Sequence, residues 1–147
     1  MTESTRSFLF PDINVWVALT YDGHVHHTVA STWFDGIAPS TRLFFSRLTQ
    51  LGFLRLLTSS AVMGTEVKSQ QEAWKAYDYW LNDERIEMLA EPDGFESEFR
   101  SRTRSSQASP KDWADSYILA LAASAGLRIV TFDQALRSRS KAVLSLL

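Results

Sequence analysis

The sequence predicts an α/β sandwich with a mainly parallel central sheet, and three observations lead to it. Short apolar runs alternate along the chain with stretches of helical periodicity. The clearest helical stretch, residues 113–125, passes through a single glycine, Gly126, into another apolar run at 127–132. The first and last clear runs each end on an aspartate, Asp12 and Asp133, and in a parallel sheet such strand ends line one edge.

Residues 8–10 form a short apolar run closed by Pro11 and Asp12, which predicts a buried strand leading into a helix over 14–20. A second helix is expected over 26–37, stopped near Gly36 and Pro39, with a second strand at 43–45. Leu48, Leu51, Leu54 and Arg55 follow helical spacing. Residues 65–81 predict a long, polar-faced helix with Trp74, Tyr77 and Trp80 or Leu81 along one side, followed by a third strand at 86–89. The stretch 92–109, rich in charge, serine and arginine, predicts a short exposed helix and a loop. Ser109, Pro110 and Asp112 supply an N-cap, a first-turn proline and a capping-box acid for the helix 113–125. No repeat or linker interrupts the order, so residues 1–147 are expected to form one domain.

Composition narrows the chemistry. Hydrophobic residues make up 45% and charged residues 22%, values of a folded chain. There is no cysteine, so disulfides, thiolate metal sites and thiol nucleophiles are excluded, and any metal must sit on oxygen or imidazole. The net charge of -2 exerts no global pull on nucleic acid, so such binding needs a local basic patch. Residues 1–7 lack the apolar core of a signal peptide, and no stretch is long and apolar enough for a membrane span; a cytoplasmic protein without membrane partners is expected.

Asp12 and Asp133 are each open to a plain reading as a helix cap. Asp115 is not, because Ile118, Leu119 and Ala122 follow it at three, four and seven residues and set it on the apolar stripe of its helix. A carboxylate on a buried face must be paired, protonated or bound to a cation, and Arg55 or Arg128 is the alternative ion-pair partner. Asp112 is explained by the capping box. Three convergent carboxylates repel one another, and a divalent cation is the usual means of holding them. Mg2+ suits an all-oxygen set best and Mn2+ can substitute.

The segments Phe10-Pro11-Asp12-Ile13-Asn14-Val15, Ser46 to Arg55 (SRLTQLGFLR), Asp112 to Ala122 (DWADSYILALA) and Thr131-Phe132-Asp133, in that order and spacing, resemble the PIN domain and, within it, the VapC toxins of bacterial toxin–antitoxin pairs. The resemblance covers nearly the whole chain. It implies a three-layer α/β/α sandwich and a metal site at Asp12, Asp115 and Asp133, with Asn14 and Thr131 orienting ligands or water. It further implies an endoribonuclease that hydrolyses RNA with metal-activated water, leaving a 3'-hydroxyl and a 5'-phosphate. A cognate antitoxin and a toxin homodimer are the implied partners. The family carries a fourth acid, usually glutamate, where this chain has Gln50. An amide supplies oxygen without charge, so weaker metal affinity is expected, and a PIN domain that binds RNA or a partner without cutting is the rival reading. A phosphatase working through a phospho-aspartate on Asp12 is a third, but Asn14 stands where its second aspartate would be.

Other features have ordinary explanations. His24, His26 and His27 lack a clear fourth ligand and are expected to be exposed rather than metal-binding. Arg100, Arg102 and Arg104, and separately Arg137, Arg139 and Lys141, could contact RNA phosphates or form solvated surface. The five tryptophans could stack on bases, although aromatics at helical spacing more often belong to a core or an interface.

Overall fold

A computed structural model describes residues 7–147. The strands β1 (Phe8–Pro11), β2 (Arg42–Phe45), β3 (Ile86–Met88), β4 (Arg128–Thr131) and β5 (Val143–Ser145) form one sheet in the order β3-β2-β1-β4-β5. Every pairing is parallel. The polar residues 1–6, on which most of the signal-peptide expectation rests, lie outside the described residues. Among the described residues no helix is long and apolar enough to cross a membrane.

Strand alternation builds the three layers. Leu9, Leu43, Phe45 and Val130 point to one face, where α1 (Ile13–Thr20), α2 (His27–Gly36), α3 (Arg47–Leu57), α4 (Ser60–Met63) and α5 (Gln70–Leu81) cover them. Phe10, Phe44 and Ile129 point to the other, against α6 (Phe95–Arg102), α7 (Asp112–Ala125) and α8 (Gln134–Arg137). Trp16 anchors the first face: it is fully buried, stacks on Phe45 with centroids 4.1 Å apart, and meets Trp80 at 5.8 Å.

From β1 the chain winds outward through β2 to β3, then returns to place β4 and β5 on the opposite side of β1. The winding reverses between β1 and β4, and the crevice beyond their carboxyl ends is where open α/β sheets bind ligands. Asp12 and Asp133 flank that crevice.

Three expectations need correction. The long helix over 65–81 begins only at Gln70; residues 64–66 form a separate 3-10 turn opened by Gly64, whose φ is +58°. Ser69 and Glu72 then make a reciprocal capping box that fixes the true start. The capping box at Ser109 does not form. Lys111 is the cap residue, without a side-chain bond, and the Ser109 carbonyl accepts the Asp112 N–H in a turn instead. The histidines are not simply exposed. His24 and His26 lie beside the Phe132 ring, and His27 Nδ1 bonds the Ala18 carbonyl at 2.7 Å. The sequence reading also passed over α4, α8 and β5, each of only three or four residues.

Candidate active site

Asp12 follows β1, and its N–H still bonds the Val130 carbonyl at 2.8 Å, so the sheet fixes its backbone. Its Oδ1 caps α1 by accepting the Ile13 N–H at 2.7 Å, and its Oδ2 accepts the Thr131 hydroxyl at 3.1 Å. Thr131 Oγ1 in turn accepts the Asp133 N–H at 3.0 Å. The buried Thr131 therefore pins the two strand-end aspartates together. Asp133 Oδ1 caps α8 through Ala135 and Leu136, at 2.9 and 3.2 Å, while its Oδ2 makes no hydrogen bond among the described residues. The helix-cap reading thus holds for both aspartates, and it consumes only part of their oxygen valence.

Burial raises the Asp12 pKa above the ordinary carboxylate range; the bonds from Ile13 and Thr131 work against this, and the charges of Asp115 and Asp133 add to the rise. The Asp115 pKa is raised by its partial burial and by Asp133, with Arg139 opposing and Asp112 contributing. The three aspartates thus feel one another across the crevice, a mutual repulsion that a cation would relieve. The donors, all carboxylate oxygens, suit a hard divalent ion. The set is loose: among the described residues no three acidic or histidine side chains are gathered at ligating distance.

Asp115 is half-buried rather than sealed in the core, because it stands in the first turn of α7 where the helix end meets solvent. The cation near it is Arg139, whereas Arg55 and Arg128 are exposed. Arg139 bonds Asp112 Oδ1 at 2.9 Å and Ser116 Oγ at 3.3 Å, and Ser116 donates to Asp112 Oδ2 at 3.0 Å. Sequence reasoning missed this network because Arg139 is 27 residues from Asp112 in the chain and sits in a mixed basic stretch. The four-residue spacing of Asp112 and Ser116 was the available signal.

Asn14 is exposed in the first turn of α1, two residues beyond Asp12. Gln50 is buried, with Arg47, three residues earlier on α3, donating to its amide oxygen.

The profile of the PIN-domain family matches residues 9–142. Ribonuclease VapC41 of Mycobacterium tuberculosis is 40% identical over 131 residues, spanning 86% of this chain and 90% of that protein. Ribonuclease VapC39 of the same organism is 26% identical over 139 residues, covering 89% and 92%. Among solved structures, M. tuberculosis VapC20, described as a sarcin-ricin loop cleaving toxin, superposes with a TM-score of 0.64 at 15% identity, covering 90% of this chain and 95% of that one. VapBC2 of Rickettsia felis, bound to a DNA fragment from its promoter, gives 0.66 at 11% identity, covering 94% and 96%. At these identities the structural likenesses speak to the fold.

Proposed function

The chain belongs to the PIN-domain family, and from that premise we propose that it is a divalent-cation-dependent endoribonuclease serving as the toxin of a toxin–antitoxin pair. The observation that carries the reading is the Asp12–Thr131–Asp133 link across the β1/β4 crevice, with Asp115 facing it from α7. Ribonuclease relatives spanning most of the chain support the activity, and toxin–antitoxin complexes among the structural neighbours support a protein partner.

Asp12, Asp115 and Asp133 would hold Mg2+ or Mn2+. When bound, the cation would polarise an RNA phosphodiester and lower the pKa of an attacking water. The chain's own residues prepare this. Thr131 keeps the Asp12 carboxylate oriented, the α8 cap leaves Asp133 Oδ2 available, and exposed Asn14 is placed to orient water or substrate. Arg139 balances the acidic charge and can meet a phosphate beside it. A cognate antitoxin, a homodimer and a cytoplasmic setting complete the proposal.

The second reading, RNA binding without cleavage, is favoured by Gln50: its oxygen already engages Arg47 and adds no negative charge. A cleavage assay separates the two. Protein freed of antitoxin should cut RNA when Mg2+ or Mn2+ is supplied, stop with EDTA, and leave 5'-phosphate ends. RNA binding without turnover in either metal would select the second reading.

A further inference from the structure

We propose that Trp113, Phe99, Arg100 and Arg104 form a nucleotide-stacking subsite that holds a single-stranded stretch of the RNA substrate beside the acidic centre. The inference rests on the ribonuclease reading and adds to it where the RNA lies.

Helices α6 and α7 pack antiparallel through aromatic pairs. Phe95 meets Tyr117 at 5.0 Å, and one turn along Phe99 meets Trp113 edge-on at 6.0 Å. Because α7 leads back into β4, its first turn stands at the carboxyl edge of the sheet, with Trp113 two residues from Asp115. A groove of about 560 Å³ lies there, lined by Glu96, Phe99, Arg100, Thr103, Arg104 and Trp113. A neighbouring groove of about 480 Å³ runs past Lys111 and Asp112 to Asp115. The two open on different sides of the first turn of α7, because residues two apart on a helix point in nearly opposite directions, so a strand held on Trp113 would round the start of α7 to reach Asp115.

Trp113 is 57% exposed, whereas Trp16 and Trp80 are buried in the core. An indole open on one side and steadied by Phe99 on its edge is a platform for a base. The arginines complete it. In the alternating run Arg100, Arg102, Arg104, only the first and last line the groove; Arg102 pairs instead with half-buried Glu98. Arg100 pairs with Glu96, but both side chains are largely exposed, and such pairs exchange readily for a phosphate. Arg104 has no ion-pair partner among the described residues. Cations beside an aromatic face match the phosphates and bases of single-stranded RNA, and with a net charge of -2 only a local patch of this kind can attract it.

The test is fluorescence anisotropy with labelled oligouridylate in EDTA, with thermal melts to confirm folding. Trp113→Ala should weaken binding on the order of tenfold, and Trp113→Phe should restore most of it. The Arg100→Gln/Arg104→Gln double variant should lower the slope of log affinity against log salt by about 1.4, while Lys75→Gln on α5 leaves it unchanged. An oligonucleotide lacking bases should bind wild type and Trp113→Ala equally. If Trp113→Ala binds oligouridylate as wild type does while wild type still cleaves RNA, the subsite is wrong and the ribonuclease reading stands. If wild type neither binds nor cleaves RNA, both fall. If the variants lose antitoxin capture but keep RNA affinity, the face belongs to the protein partner and the subsite is overturned.

Discussion

Asp12→Asn is expected to lower RNA cleavage by at least about a hundredfold, the scale on which even outer partners of a metal ligand matter, and at the same time to raise the melting temperature of the cation-free protein. The first effect follows from the central position of Asp12, bonded to Thr131 and coupled to both other aspartates. The second follows from linkage. The folded-state pKa of Asp12 is raised from 3.8, chiefly by burial. A protonated Asp12 therefore favours the fold fully below about pH 3.8, and that contribution is lost as pH rises through the raised folded value. At neutral pH the wild type carries a half-buried charge that asparagine lacks. The amide can still accept the Ile13 N–H, and the Thr131 hydroxyl can turn to accept from it. Adding Mg2+ should reverse the order, stabilising wild type more than Asp12→Asn. Melting curves with and without Mg2+ check this, and an Asp12→Asn protein that melts below wild type in EDTA would show that the bonds of the carboxylate to Ile13 and Thr131 outweigh the burial of its charge.

Trp16→Ala should cost about 3–5 kcal/mol of stability, the largest loss expected from any single core truncation here. The indole is fully buried, stacked on Phe45 and set against Trp80, and it fastens α1, the helix that Asp12 caps. Its Nε1 is buried without a hydrogen-bond partner among the described residues. Trp16→Phe removes that unsatisfied donor along with some apolar area, and relief of a desolvation penalty of roughly 1–3 kcal/mol offsets part of the loss. It should therefore cost much less than the alanine variant. Urea denaturation measures both, and equal costs would mean that the Nε1 finds a partner in solution.

Much of this was legible in the chain because it rests on local rules. Alternation in Leu43, Phe44 and Phe45 sends neighbours to opposite faces, as found. The runs that end on Asp12 and Asp133 became neighbouring parallel strands with both aspartates at one edge. The helix of Asp115 was evident from its apolar stripe and from Gly126, which ends it in the left-handed conformation with φ at +71°. What escaped depends on contacts between distant residues. Arg139 reaches Asp112 only after β4 and α8 turn the chain back. Asp115 was expected to lie against the core, but position within a helix decides burial as much as face does, and its first-turn place leaves it half open. The arginines at 100, 102 and 104 look alike in sequence; their sorting between groove and ion pair is set by how α6 lies on α7.

Asp12, Asp115 and Asp133 are expected to serve one shared cation. The direct measurement is a Mn2+ titration, followed by water-proton relaxation, of wild type and of the three single aspartate-to-asparagine proteins. One site is predicted in wild type, weakened roughly tenfold or more by each substitution alone. Equal Mn2+ affinity in all four proteins would contradict it.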